Sequence, residues 1–209
     1  MRYMKGGVKH LEFKDLMRFD KDNIYFVFGL ARPKNNPNMH KDQRIFIREP
    51  VRELKDYDRK VREMFDLCNE KELRMYVYVS VNSRNTLNAL DIMSDKLAAY
   101  NKEARRGKKT FKEAARSLDQ VWYSCCMNPR ARGTKYFMLD IDTKDPGVRA
   151  TLTEIVLPYS GPVLIEQETR NGYHWIVKPF DVRIIKDIPN VGIQKDGLLY
   201  LGCTGFEEE

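Results

Sequence analysis

The chain has 209 residues, of which 42% are hydrophobic and 32% charged, and its formal net charge is +7. This length suits one domain, or one domain with an appendage, and the composition is that of a globular chain with enough apolar material for a core. No stretch reaches the ~18 apolar residues that a membrane span needs, and the N-terminus lacks the apolar region of a signal peptide. The four cysteines show neither a CxxC pair nor a zinc-binding pattern. We therefore expect a soluble protein of a reducing cytoplasm.

The charges are unevenly distributed along the chain. Residues 1–135 hold 30 Lys and Arg against 18 Asp and Glu, whereas residues 136–209 hold 7 against 12. A basic part followed by an acidic part suits a protein that binds a polyanion with one and metal ions with the other. Solvated helix faces with surplus lysine would give the same totals, so charge alone leaves both interpretations open.

The hydrophobic pattern of the first two thirds alternates between strand and helix periods. It predicts strands at 23–30, 43–49 and 74–81 and helices at 51–68, 87–100 and 111–127. In the strand at 74–81 the smaller apolar side chains share one face, and Tyr76 and Tyr78 share the other. A polar loop is predicted at 82–85.

The last third predicts strands at 136–142, 161–168, 173–180 and 196–202, with a helix at 146–157. Asn171-Gly172 is typical of a two-residue type I′ hairpin turn. The order β-α-β-β with a further strand predicts an α+β fold, in which helices pack on a sheet that is at least partly antiparallel.

Asp140 and Asp142 stand two residues apart at the end of an apolar strand. The alternation of a strand places both carboxylates on one face, with their Cα atoms about 6–7 Å apart. Two adjacent carboxylates repel each other unless a cation lies between them, and Mg²⁺ takes one or two carboxylates together with phosphate oxygens and water. The pair therefore indicates a metal site for phosphoryl transfer, although a surface strand that ends in a turn would look the same.

The predicted hairpin adds an imidazole and positive charge. With the Asn-Gly pair as its turn, Thr169 lies opposite His174 and the two side chains project from one face. They would hold a triphosphate there, with Arg170 and Lys178 supplying further charge. An isolated strand histidine is more often structural, so this interpretation depends on the nearby aspartate pair.

A third carboxylate is less clearly defined. Asp196 stands just before the last apolar strand and is the first candidate, but Asp196-Gly197 is also an ordinary turn sequence. Glu166 and Asp187 are the alternatives, and Glu166 is the better of the two because its strand is a potential neighbour of the aspartate strand.

The order YFMLDID, TRNGYHWIVKP and a hydrophobic strand led by Asp196 resembles the archaeo-eukaryotic primase superfamily, including the primase-polymerases of phages and plasmids. That superfamily is marked by a strand ending in DxD, a small-x-His element in a hairpin, and a lone Asp at a strand start. The resemblance covers about residues 136–202. It implies that Asp140, Asp142 and Asp196 are catalytic ligands of Mg²⁺ or Mn²⁺. It also matches Gly172, where the family often has serine, and His174 to the small-x-His element, with the histidine on the nucleotide's phosphates.

The resemblance further implies a single primase-like catalytic core, built from an N-terminal α/β part (1–135) and a C-terminal RNA-recognition-like sheet (136–209). Asn82 and Arg84 would help to bind nucleotide or template, and Tyr76 or Tyr78 would stack on bases. The implied partners are nucleoside triphosphates and single-stranded DNA or RNA, with a replicative helicase as a further candidate. The implied location is the cytoplasm of a bacterium or of a phage-infected cell.

The function expected from these residues is metal-dependent nucleotidyl transfer, which extends a 3′-hydroxyl or starts a primer on a single-stranded template. Two alternatives remain open. One is a non-catalytic accessory protein that binds single-stranded nucleic acid on the same fold. The other is a metal-dependent nuclease that uses Asp140, Asp142 and Glu166.

Overall fold

The computed structural model describes residues 7–71, 73–107 and 118–204, with side chains described from Glu12 onward. The described residues form five α-helices: α1 (Gly7–Leu16), α2 (Leu54–Asn69), α3 (Thr86–Arg105), α4 (Leu118–Cys126) and α5 (Pro146–Ser160). They also form nine strands: β1 (Asn23–Ala31), β2 (Ile45–Val51), β3 (Met75–Ser80), β4 (Arg84–Asn85), β5 (Phe137–Ile141), β6 (Ile165–Glu168), β7 (Tyr173–Val177), β8 (Val191–Gln194) and β9 (Leu198–Thr204). The predicted α+β class and the antiparallel sheet are confirmed. Part of the helix predicted at 111–127 lies outside the described residues, and α1 and β8 were not predicted.

The first sheet has the order β2-β1-β3-β9 with every pair antiparallel, and β4 pairs with the start of β1. Helix α2 packs on one face of this sheet with the side chains that its apolar spacing selects: Tyr57, Val61, Met64, Phe65 and Cys68. The approach is close, because a Cβ added at Gly29 would lie 2.6 Å from the Cys68 sulfur. The residue at 29 therefore has to be small for the helix to sit on the strand.

The second sheet has the order β6-β7-β5-β8, again with every pair antiparallel. Along the chain its elements run β5, α5, β6, β7, a short 3-10 helix (Val182–Ile185) and β8. This is the connectivity of the βαββαβ motif, with a 3-10 turn where that motif has its second α-helix. Alternate residues of β5 and β7, such as Leu139 and Trp175, form a core with α5. Since side chains alternate along a strand, Met138 and Asp140 lie on the opposite face.

The hairpin between β6 and β7 differs from the prediction. Its ladder pairs Glu168 with Tyr173 and Gln167 with His174, so four residues, 169–172, form the loop. Thr169 closes this loop by donating its N–H to the Gly172 carbonyl at 2.8 Å. The predicted type I′ turn is wrong because it needs positive φ at both central residues, and neither Asn171 nor Gly172 has one. The predicted pairing of Thr169 with His174 is also wrong, because the ladder places Gln167 opposite His174 and leaves Thr169 in the loop.

The chain divides into two compact units. One comprises Arg18–Ile24 and Ser83–Thr134 and contains α3 and α4. The other contains the second sheet and the first sheet from Tyr25 of β1 onward, without β4, together with α1, α2 and α5. None of the helices in the described ranges is long and apolar enough to cross a membrane.

Candidate active site on the second sheet

Asp140 and His174 lie directly opposite each other on the adjacent strands β5 and β7. Nε2 of His174 lies 3.1 Å from Oδ1 of Asp140, with 19% and 29% of the two side chains exposed. Both side chains project from the face that α5 does not cover, because their neighbours Leu139 and Trp175 point into the core on the other side. The sheet thus brings the aspartate and histidine elements of the sequence into direct contact.

The second oxygen of Asp140 is also occupied. Gln194, on β8, donates from Nε2 to Oδ2 of Asp140 at 3.0 Å. The ladder pairs Gln194 with Met138 and Gly192 with Asp140, so Gln194 is the diagonal neighbour of Asp140 on the adjacent strand. Asp140 therefore contacts one nitrogen atom from each neighbouring strand, and of these Gln194 donates a hydrogen bond. The sequence analysis missed Gln194 because it did not predict β8.

The hairpin loop lies at the same end of β5 as the aspartate pair. A Cβ added at Gly172 would lie 1.8 Å from the Ile141 carbonyl oxygen and 2.7 Å from the Thr143 nitrogen, so the loop backbone rests against the residues that flank Asp142. Thr169 contributes its hydroxyl to the loop itself, where Oγ1 accepts from the Gly172 N–H at 3.0 Å. Asp142 is exposed just beyond the end of β5.

Ion pairs occupy two of the cationic groups near the hairpin. Lys144 contacts Glu168 at 2.7 Å, and this hydrogen bond lowers the pKa of the Glu168 carboxyl. Arg149 of α5 makes a two-point contact with Glu166, at 3.0 and 2.8 Å. Arg170, exposed in the hairpin loop, makes no ion pair with any described side chain. It is the loop's available positive charge.

Two predicted residues lie just beyond the ends of their strands. Lys178 follows β7, whose last residue, Val177, lies opposite Phe137 at the start of β5. It is four residues from His174 along the strand direction, which corresponds to about 13 Å. Asp196 lies in the turn that follows β8, and among the described residues no group of three or more acids and histidines that could hold a metal includes it.

The alternative third acids do not join the pair either. Glu166 lies opposite Trp175, on the face that α5 covers, which explains its contact with Arg149. Asp187 is exposed after the 3-10 helix, 3.9 Å from Lys186. Among the described residues, no group of three or more His, Cys, Asp and Glu side chains could hold a metal ion. The nuclease site built on Glu166 loses its geometric basis.

Asn82 and Arg84 occupy interior positions. Asn82 is fully buried, donates to the carbonyls of Tyr136 and Lys195 at 2.9 Å each, and accepts from the Tyr136 N–H at 2.6 Å. Its amide thus joins segments that flank β5 and follow β8, and it is not available to a nucleotide. Arg84 is 3% exposed. The predicted nucleotide-binding role of Asn82 is corrected to a structural one, and the burial of Arg84 leaves little of its side chain to contact nucleotide or template.

Gln167 is a further polar residue on the Asp140 face that the sequence analysis missed. It lies opposite His174, is 5% exposed, and donates from Nε2 to the Tyr200 carbonyl of β9 at 2.7 Å. Its Oε1 and Nδ1 of His174 are both buried and have no hydrogen-bond partner among the described groups.

Comparisons of the chain with models of protein families, with curated proteins and with solved structures find no match.

Proposed function

We propose that the protein is a metal-dependent nucleotidyltransferase of the primase-polymerase type. The observation that carries the proposal is the contact between the partly exposed Asp140 and His174 on the sheet face opposite α5, with Asp142 and the 169–172 loop at the same end. Such a reaction requires a bound metal ion and a bound triphosphate. The two carboxylates are suited to bind the ion, and the imidazole and the cationic loop are suited to bind the triphosphate.

The donor set fits a divalent cation in part. Asp140 and Asp142 supply two carboxylates at one strand end, which is the number that Mg²⁺ commonly takes from protein when substrate phosphates and water complete its shell. Such an ion, when bound, neutralises phosphate charge and lowers the pKa of an attacking hydroxyl. We assign Asp140 and Asp142 to holding the ion, since no third acid is grouped with them among the described residues.

The remaining residues of the site would bind the triphosphate. His174 presents its imidazole beside Asp140, and Arg170 adds an exposed guanidinium from the loop. Guanidinium groups bind phosphate oxygens through paired N–H donors, so Arg170 would orient the outer phosphates. Thr169 shapes the loop through its hydrogen bond to Gly172 and is a positioning residue.

The proposed primase-like core also uses the first sheet. Tyr76 and Tyr78 lie on the face opposite α2 and approach Tyr200 with ring centroids 6.2 and 5.7 Å apart. Aromatic rings next to cationic side chains are suited to stack on bases of a single strand, and the guanidinium carbon of Arg74 lies 5.7 Å from the Tyr76 ring centre. Single-stranded DNA or RNA and nucleoside triphosphates are therefore the proposed partners, and the connectivity of the second sheet supports its resemblance to RNA-recognition sheets.

The test is nucleotide incorporation on a single-stranded template with Mg²⁺ or Mn²⁺. Asp140→Asn and His174→Asn should abolish incorporation while template binding persists, because neither change removes positive charge contributed by lysine or arginine. Glu154→Gln is the matched control: it removes one negative charge from α5, behind the sheet, and should leave incorporation unchanged. Normal incorporation by the Asp140→Asn protein would refute the proposal.

A second candidate is an accessory protein that binds single strands without catalysis. It is favoured by the hydrogen bond that Asp140 accepts from Gln194 and by the absence of a third acid among the described neighbours. Its affinity for single-stranded DNA would fall steeply with salt and would not respond to Mg²⁺ or to nucleotide. Binding titrations with and without both additions separate the two candidates.

A further inference from the structure

We propose that the face of the first sheet opposite α2 binds single-stranded nucleic acid in a track that crosses the strands, and that it does so without a metal ion or a nucleotide. The inference deepens the proposed function and rests on its choice of a single strand as partner, but it uses no residue of the Asp140 site. The ring-bearing residues of this surface, which we call the aromatic face, are Phe28, Phe46, Tyr76, Tyr78 and Tyr200.

The ladders align this face in two rows that cross all four strands. One row consists of Arg48, Phe28, Tyr78 and Tyr200, and the other of Phe46, Leu30, Tyr76 and Cys203. Gly29 approaches α2, so its neighbours Phe28 and Leu30 point away from that helix and show on which side both rows lie. Four adjacent strands span about 14 Å, which accommodates about four nucleotides at the ~3.4 Å rise of a stacked strand.

Several rings of the aromatic face are accessible to a base. Phe46 is 42% exposed, and Tyr76, Tyr78 and Tyr200 are partly exposed. The guanidinium carbon of Arg48 lies 4.9 Å from the Phe46 ring centre, and the ring centres of Tyr78 and Tyr200 are 5.7 Å apart. Every base presents a π-face, so such rings stack on bases of any sequence, provided that the bases are unpaired.

Three arginines border the aromatic face at one end of the strands, and we call them the arginine rim. Arg32 follows the last residue of β1, Arg44 precedes the first residue of β2, and Arg74 precedes the first residue of β3. Because β1 is antiparallel to both neighbours, these three positions meet at the same end of the sheet. Burial raises the pKa of the Tyr78 hydroxyl and the positive charge of Arg32 opposes this shift, which shows that Arg32 lies near the rings. The rim is therefore placed to bind the phosphates of a strand whose bases stack on the face.

The loop between β1 and β2 is held beside the rim by Asn36. The buried Asn36 side chain donates to the carbonyls of Arg32 and Arg74, at 3.1 and 3.0 Å, and accepts from the Arg74 N–H at 2.7 Å. Residues 32–44 carry four Lys and Arg against one Asp, so this loop adds positive charge in a fixed place. Fixed cations next to stacking rings suit a single strand better than a duplex, whose bases are paired, or an acidic protein, which has no bases.

The experiment measures binding of a labelled oligothymidylate of about 12 nucleotides by fluorescence anisotropy, in EDTA and at several salt concentrations. Combining Arg32→Gln with Arg44→Gln should make the slope of log K against log salt shallower by about 1.4, because each phosphate contact of a single strand contributes about 0.7. The matched control combines Lys55→Gln with Arg62→Gln, two exposed cations of α2 on the other side of the sheet, and should keep the wild-type slope. Tyr76→Leu should weaken binding about tenfold at an unchanged slope, because it removes a ring and no charge.

Cys203 provides a second measurement on the unmodified protein. It is the exposed cysteine, and it lies opposite Tyr76 at the β9 end of its row. A saturating concentration of the oligothymidylate should slow its reaction with a disulfide reagent at least about fivefold, because thiol reactivity depends on access.

Several results would overturn the inference. The oligothymidylate could fail to bind the wild-type protein in EDTA. A duplex of the same length or poly-glutamate could bind as tightly as the single strand, which would show a surface for polyanions in general. A wild-type slope for the arginine pair, wild-type affinity for Tyr76→Leu or an unprotected Cys203 would each place the strand elsewhere, and nucleotide incorporation by the wild-type protein would then still support the proposed function. Conversely, wild-type protein that binds the strand as expected but incorporates no nucleotide would refute the proposed function and leave this inference standing.

Discussion

Replacing Gly172 with alanine tests whether the close approach of the hairpin to β5 forms the site. An added Cβ would lie 1.8 Å from the Ile141 carbonyl oxygen, which is about 1.2 Å closer than the 3.0 Å minimum seen for real Cβ atoms. It would also lie 2.7 Å from the Thr143 nitrogen. Both contacts are backbone atoms, so no side chain can rotate away and the loop itself must move. Because φ at this glycine is not positive, the cost arises from overlap and not from backbone strain. Overpacking of this kind costs typically about 1–3 kcal/mol, and we expect a loss near the upper end, about 3 kcal/mol.

The assay is urea unfolding followed by circular dichroism, with nucleotide incorporation measured in parallel. Gly192→Ala is the matched control: its added Cβ would come no closer than 3.8 Å to any atom of Asp140, and it should unfold within about 0.5 kcal/mol of wild type. On the proposed function, incorporation should fall in the Gly172→Ala protein even under conditions in which it is fully folded, because the loop that carries Arg170 is displaced from the end of β5. Wild-type stability in the Gly172→Ala protein would refute the geometry from which this reasoning starts.

Two further predictions concern residues outside the site. Asn82→Ala should lower the free energy of unfolding by about 3 kcal/mol, because it leaves buried backbone groups without hydrogen-bond partners. Asn85→Ala removes the hydrogen bond that caps α3 and should lower it by only about 1 kcal/mol. Equal losses for the two variants in urea unfolding would contradict this prediction. Burial raises the pKa of Cys68 to about 11 and the pKa of Cys126 to about 12, so both thiols stay protonated at pH 8. Cys125 is buried as well, whereas Cys203 is exposed. A disulfide reagent should therefore react with Cys203 alone in the folded protein and with all four cysteines in urea. Rapid reaction of more than one thiol before unfolding would show that the buried placement is wrong.

The sequence predicted those elements whose stability comes from a strong local pattern. Strand β3 alternates apolar residues with tyrosines, and α2 repeats apolar residues at helical spacing, so both were located to within three residues. Strand β8 was missed because it has only four residues, one of them glycine, and its stability comes from pairing with β5. Local propensity carries little information about such an element.

The site was predictable to the extent that neighbouring residues determine it. The aspartate pair and the histidine were identified from strand patterns, and their contact follows from the β5–β7 ladder. The role of Asn82 was not predictable, since its partners Tyr136 and Lys195 lie 54 and 113 residues further along the chain. The sequence could not show that Asp196 lies in a turn between β8 and β9, because β8 was not predicted.

The least predictable strand is also the one that decides between the two candidate functions. Without β8, Asp140 would pair only with His174 and would keep one oxygen for a cation. With it, Gln194 occupies that oxygen. If this hydrogen bond persists, the partly exposed Asp140 and His174 can serve the accessory role, in which nucleic acid binds without catalysis. If a metal-bound triphosphate displaces the glutamine, Asp140 can hold the ion as the proposed nucleotidyl transfer requires. Nucleotide incorporation by the wild-type and Asp140→Asn proteins distinguishes the two outcomes.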